Sequence, residues 1–455
     1  MHILTRRHVL RQALGLAGAV TLSGLGLPRT SMASLPPTFF RRSFHDYKAL
    51  VCVFLNGGND GFNLVVPRSQ AEYGVYQQSR QNLAVSQSSL LAIHARSNQN
   101  GQFGLHAAMQ ALHPLFGEGA LALIANLGPL VEPVTRAQYL SGQARLPPQL
   151  FSHNDQQDQW HSLRGQRDLR TGWAGRLADL WQQTGGMSMN ISLSGRNLFQ
   201  TGTQGLPYAM NPDGPQSYHN VRESDWNREV SRRDAFLRML EGQSNYLSAA
   251  FAQAQQQSFQ LADGLREALE GVELPAEFPA GNRLAEQLAM VARLLAVRDQ
   301  IGLPRQVFYV SLGGFDTHDN QNALQPDLFR QLAEALQAFW HATEALGVAD
   351  QVTSFTASDF GRTLTSNGDG TDHGWGSHHL VMGGAVRGGD IYGQMPDLRI
   401  DGDDDTRGGR LIPTLSADQY VATLAHWFGL DDSELDALLP NLGNFTQRDL
   451  GFMRS

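Results

Sequence analysis

Three short strand-like segments, each closed by a loop of glycines and acids, limit what this chain can fold into more than any other feature. Residues 50–55 run into Asn56-Gly-Gly-Asn-Asp60, residues 307–312 into Gly313-Gly-Phe-Asp-Thr-His318, and residues 352–356 into Ala357-Ser-Asp-Phe-Gly-Arg362. The first, 50–55, is a continuous apolar run without alternation, which suits a strand covered on both faces. Such strands belong to parallel sheets sandwiched by helices, so the expected class is α/β with an open, mostly parallel sheet. Loops that leave the ends of such strands converge, and here they carry carboxylates and imidazoles. That is how a sheet scaffold assembles a metal site.

Other segments fill in the scaffold. Residues 121–126 form a further apolar run after a helix-like stretch over 106–116, which together suggest a β-α-β unit with parallel pairing. Pro147-Pro148 precedes a loop that enters a helix containing Trp160. Residues 184–227 are rich in Gly, Asn, Ser and Pro and read as an insertion or cap, with helical spacing over 227–298. A helix is expected over 327–346 and a short strand over 379–382. Residues 416–429 have a capping Ser416, apolar residues at helical spacing and a closing Gly429, which predicts a packed C-terminal helix. The length prior allows two or three domains. The spread of the acidic loops argues instead for one α/β domain over 34–455, with 184–300 as the insertion or helical cap region.

The first 33 residues read as an export signal. Arg6-Arg7 precedes an apolar stretch over 13–27, and Ser31-Met-Ala33 supplies small residues for cleavage, the layout of a twin-arginine (Tat) signal. The apolar stretch is shorter than the roughly 20 residues a membrane span needs, so no permanent span is expected. The Tat translocase is the implied partner and the periplasm or exterior the implied location. Cleavage after Ala33 removes four arginines and no acids from 35 basic and 43 acidic residues, moving the net charge from −8 to −12. So acidic a body argues against a general nucleic-acid binder, but not against a small anionic substrate beside a metal. The single cysteine, Cys52, lies in the first apolar run and excludes an intrachain disulfide. No dinucleotide-binding glycine frame is present, which counts against a nicotinamide enzyme.

The run Val53-Phe-Leu-Asn-Gly-Gly-Asn-Asp-Gly-Phe-Asn-Leu-Val-Val-Pro67, the Gly313–His318 loop, Ser358-Asp-Phe-Gly-Arg-Thr363 and Thr371-Asp-His-Gly374 together resemble the DUF1501 family. Its members are grouped with the alkaline phosphatase and sulfatase superfamily. The resemblance implies an alkaline-phosphatase-like sheet, and one or two divalent ions (zinc, manganese or calcium) serving hydrolysis of phosphate or sulfate esters. By order of motifs, Asp60 resembles the first-strand metal ligand, Asp316 and His318 the ligands of one metal with His373 as its later histidine, and Asp359 the ligand of a second. Many superfamily relatives have a histidine after that last aspartate, where this chain has Phe360. His378, His379 or Asp372 are the available substitutes, and His378 is the one carried into the expected ligand set.

Several of these residues have a second reading. Asp60 sits in a glycine-rich turn that an aspartate can cap. Ser152 lies where the family shows a Ser-His loop before a helix, and is either the nucleophile or that helix's N-cap. Arg362 can grip substrate oxygens with its fork of donors, or pair with a neighbouring acid. The acids at 401–405 lack the spacing of a calcium loop and read as a solvated turn. An exported binding or assembly protein that kept the fold, and one metal for stability, without turnover is the alternative to a hydrolase.

Overall fold

The computed structural model describes residues 40–97, 102–167, 169–182, 186–215, 238–239 and 245–454. The expected export signal over residues 1–33 and much of the 216–244 stretch lie outside the described residues.

The scaffold is a nine-stranded, mostly parallel sheet. In spatial order it runs β13 (Asp390–Tyr392), β5 (Leu121–Gly128), β12 (Ser377–Gly383), β9 (Val352–Ser358), β1 (Lys48–Leu55), β8 (Arg305–Leu312), β6 (Asn190–Ser192) and β7 (Tyr208–Ala209), with β14 (Leu415–Ser416) also on β5. From β9 to β7 every pairing is parallel, while β12 runs antiparallel to both β9 and β5. Two small antiparallel sheets lie beside it: β2 (Val65–Pro67), β4 (Phe103–Leu105) and β3 (Leu91–Ile93) in one, β10 (Arg362–Ser366) and β11 (Thr371–His373) in the other.

β1 shows why its apolar run is continuous. Val51 and Val53 face a core shared with the helices Arg283–Ala296 and Gln321–Ala345, whereas Leu50, Cys52 and Phe54 face a core shared with Trp173–Trp181 and Ala417–Phe428. Alternate side chains of a strand point to opposite faces, so burial on both faces requires an unbroken apolar run. Cys52 is one of these buried apolar positions, and burial pushes its thiol pKa up.

The expected β-α-β unit takes a different form. β1 and β5 do not pair, because β9 and β12 lie between them. The 106–116 stretch is broken into a 3-10 turn, Ala107–Met109, and a short helix, His113–Glu118, with Pro114 in that helix's first turn. Proline has no N–H to donate to the preceding turn, so the helix restarts there. The expected 327–346 helix begins earlier, at Gln321, since Pro326 falls in the first two turns, where few hydrogen bonds are lost. Within the 184–300 segment, β6 pairs with β8 in the main sheet. The C-terminal helix Ala417–Phe428 has the expected cap: Ser416 accepts from Asp418 N and forms a capping box with Gln419, and Gly429 closes it.

The 401–405 turn is solvated at Asp401 and Asp403, as expected, but not at Asp405. Asp405 is 0 % exposed; its Oδ1 accepts from the N–H groups of Arg407 and Gly409 at 3.0 and 2.9 Å, and its Oδ2 from Asp401 N at 2.9 Å. One carboxylate thus ties the turn together, while Asp401 points outward to a surface pair with Arg136. Asp405→Ala is therefore expected to cost at least 3 kcal/mol of unfolding free energy, three charge-assisted bonds of about 1.5–3 kcal/mol each being lost at a buried site. Asp401→Asn should stay within about 0.5 kcal/mol. Urea unfolding of the two variants checks the contrast.

Candidate metal centre

The loops after β1, β8 and β9 meet at the carboxyl end of the parallel strands, where open α/β sheets place their ligands. The approach is close enough to need glycine. A Cβ on Gly57 would lie 2.3 Å from Asp316 N, and Gly57 has φ 114°, a region L residues rarely adopt. The loops from β1 and β8 therefore touch through backbone, and Asp316 is aimed outward over them.

Around Asp316 the fold gathers His153, His318 and His373. His153 Nε2 is 3.4 Å from Asp316 Oδ2, and His373 Nε2 is 3.6 Å from Asp316 Oδ1. Ligand atoms of His153, Asp316 and His373 all lie within 4.8 Å of one another. Donors on a four-coordinate zinc with bonds near 2.0–2.1 Å stand about 3.3 Å apart, so these spacings suit one divalent ion.

Both outer histidines are anchored through their other nitrogen. His153 Nδ1 is 2.7 Å from Asp359 Oδ2, and His373 Nδ1 is 2.6 Å from the carbonyl of Phe151. A carbonyl only accepts, so His373 carries its hydrogen on Nδ1 and turns a lone pair inward from Nε2. A metal-ligating histidine needs this arrangement, with a carboxylate or carbonyl fixing the tautomer. Asp359 is 1 % exposed and its Oδ1 has no hydrogen-bond partner. A buried carboxylate oxygen without a donor is costly, and a cation close by offsets that cost. The donor set and this oxygen both fit a divalent ion.

His318 occupies the solvent side. It is 39 % exposed, its Nε2 lies 2.9 Å from His373 Nε2, and its Nδ1 is 3.4 Å from Asp372 Oδ1. His318 Nε2 also lies 3.1 Å from Asp316 Oδ1, so this third imidazole turns the same nitrogen toward the centre from its open face. Phe360, buried, packs against His153 and His373 with ring centroids 4.8 and 4.4 Å away and the rings tilted by 43° and 31°. It forms a floor beneath the two imidazoles, and Asp359 finds its histidine in His153 rather than in the next residue.

Electrostatics keep the centre ready for a cation. Burial pushes the Asp316 carboxyl up, but the hydrogen bond and charge of Arg362, with His318 and His153 nearby, outweigh it and hold the pKa below the usual carboxylate range. Burial lowers the His373 pKa, assisted by Arg362, against the opposing hydrogen bond to Phe151. Because folding lowers the His373 pKa, the stability its neutral ring contributes is present above the unfolded-state pKa and lost as pH falls through the folded one.

The other expected site residues are placed differently. Asp60 is buried in an ion pair with Arg80, accepts from Gln321 Nε2 at 2.5 Å, and caps the turn Gly61–Leu64 through Phe62 N at 3.1 Å. His378 lies at the start of β12, where its Nδ1 accepts from Asn126 N at 3.0 Å and its ring meets Phe62 edge-on. Burial drives its pKa down to about 3, so it is a neutral core histidine. Ser152 is the residue before the helix His153–Ser162, and its hydroxyl donates to Asp155 Oδ2 at 2.7 Å. Arg362 is 0 % exposed; it donates to Asp316 Oδ1 at 2.8 Å, to Gly57 O at 3.1 Å and to both the hydroxyl and carbonyl of Thr371. With its donors engaged inside the protein, it supports Asp316 and has no face toward a substrate. Sequence reasoning missed His153, although the Ser152-His153 junction was the available signal: the histidine, not the serine, faces the centre.

A family model described as a protein of unknown function, DUF1501, matches residues 47–437. This chain belongs to the DUF1501 family. No curated protein matches it. Among solved structures, this DUF1501 chain is similar to Ps i-CgsB (10% identity, TM-score 0.35, covering 87% of this chain and 74% of that one). It is also similar to the soluble domain of lipooligosaccharide phosphoethanolamine transferase A from Neisseria meningitidis (9%, TM-score 0.34, 89% and 96%). A third is PsFucS1 sulfatase from Pseudoalteromonas sp. (10%, TM-score 0.32, 90% and 74%).

Proposed function

We propose that this DUF1501 chain is an exported, metal-dependent hydrolase of phosphate or sulfate esters. The observation that carries the reading is the pair of imidazoles, His153 and His373, each anchored through Nδ1 and each turning Nε2 toward Asp316. His153, Asp316 and His373 would hold the ion. A divalent ion there would lower the pKa of water and polarise an ester oxygen. The ester class comes from the superfamily that the family motifs resemble.

The residues divide the remaining work. Asp359 fixes the His153 ring, Phe151 fixes His373, and Arg362 keeps Asp316 ionised and aimed. His318, backed by Asp372 at the open face, is placed to take a proton from attacking water and return one to the leaving alcohol. Ser152, held by Asp155, is the helix-entry residue in this scheme, and water is the nucleophile. Export follows from the Arg6-Arg7 signal, and no helix among the described residues is long and apolar enough to cross a membrane.

A second reading, a metal-holding binding protein without turnover, is favoured by Arg362, which is spent on Asp316 and leaves the centre without a built anion clamp from that residue. Elemental analysis of protein from the exported fraction, with assays on aryl phosphates and sulfates, separates the two. The hydrolase predicts bound zinc, manganese or calcium together with ester turnover that His318→Gln lowers by about 10²–10⁴-fold. Bound metal with no turnover on any ester favours the binding protein, and metal-free protein removes both.

A further inference from the structure

We propose that Arg410 is a positioning residue for His373, and that the turn built on Asp405 serves to hold Arg410 in place. Arg410 Nε donates to the carbonyl of His373 at 2.9 Å. The same guanidinium lies over the Phe151 ring, 5.0 Å from its centroid. Phe151 is the residue whose carbonyl accepts from His373 Nδ1. One guanidinium therefore grips the histidine's own main chain and the loop that orients its ring.

The loop needs such a grip. Phe151 has φ 74°, a region that residues with a side chain avoid and adopt only where their surroundings enforce it. The next but one residue is His153, so this loop supplies one inward-facing imidazole and orients another. Stacking of a guanidinium on an aromatic face, combined with a directed N–H bond, restrains both position and orientation.

Arg410 is itself held from behind. Asp405 accepts from Arg407 N and Gly409 N, Thr406 N donates to Arg410 O at 2.9 Å, and Gly409 O accepts from Leu364 N at 2.8 Å. That last bond docks the turn on β10, whose Arg362 pairs in register with His373 of β11. An acidic turn that looks like surface decoration thus connects to the centre through three residues.

The effect on metal binding rests on the proposed metal reading; the geometry of His373 does not. The test uses the full chain, with nitrogen-15 NMR of the His373 tautomer in metal-free protein and a titration with zinc ion alone. Arg410→Ala is expected to change His373 from a single Nδ1–H tautomer to a mixture and to weaken zinc about 10–100-fold, as the loss of an outer partner does. Arg410→Lys, which keeps a donor for the carbonyl but not the stacked plane, should fall between, and carries the test if Arg410→Ala fails to fold. Arg407→Ala, exposed in the same turn, should match wild type. A single wild-type tautomer in both Arg410 variants overturns the proposal. Failure of the wild-type protein to take up zinc would sink the metal reading instead, and the tautomer measurement would still decide the role of Arg410.

Discussion

His153→Ala is expected to empty the centre. It removes one of the two anchored imidazoles and leaves Asp359, already buried with one oxygen lacking a donor, without its remaining side-chain partner. Loss of an outer partner alone weakens metal binding about 10–100-fold, so Asp359→Asn should fall in that range and His153→Ala should weaken binding by more. Ester turnover should disappear with the metal in His153→Ala. Because a bound ion stabilises only the folded state, the metal-dependent rise in melting temperature should vanish as well. Full occupancy in purified His153→Ala protein would return the ligand role to another residue and reduce the Asp359–His153 pair to a structural contact.

The second large effect is on stability. Asp60→Ala should cost about 3–5 kcal/mol, because it strands the Arg80 guanidinium inside the protein. Arg80 is fully buried and has carbonyl partners in Thr363 and Leu364, but Asp60 is the only carboxylate paired with it among the described residues. Gln321 loses an acceptor in the same change. Such a loss is a large fraction of the roughly 5–15 kcal/mol that holds a domain folded. The correctly folded fraction should nevertheless take up as much metal as wild type. The opposite pattern, unchanged urea midpoint with lost metal, would make Asp60 a ligand after all.

That contrast shows where reading the chain succeeds. Asp316 and His318 were legible because they lie in a polar loop close behind an apolar run, and His373 because it lies in a Gly-rich polar stretch, where neither core packing nor a helix face explains an imidazole. Asp60 lies in the same kind of loop and has a different fate, because Arg80 emerges from the helix Gln70–Arg80 and claims it. Nothing local to either residue announces the pair. His378 misled for a related reason: a histidine pair entering an apolar run looks like a ligand step, yet β12 turns His378 into a site beside Phe62 and Asn126, where burial keeps it neutral. His153 was hidden by distance, since its carboxylate partner is 206 residues away in the chain.

The sequence by itself determined the class of the fold, the positions of β1, β8 and β9, the capped C-terminal helix, and the end of the sheet at which acids and histidines collect. Those features are local: two-sided burial demands continuous apolar runs, and capping needs one hydroxyl at one position. The tertiary structure decided the strand order that inserts β9 and β12 between β1 and β5, the pairing of Asp60 with Arg80, the burial of Asp405, and the delivery of His153 to Asp316. Each of those depends on segments distant in the chain meeting in one register, and their partners are selected by packing across the whole sheet rather than by any pattern within a segment.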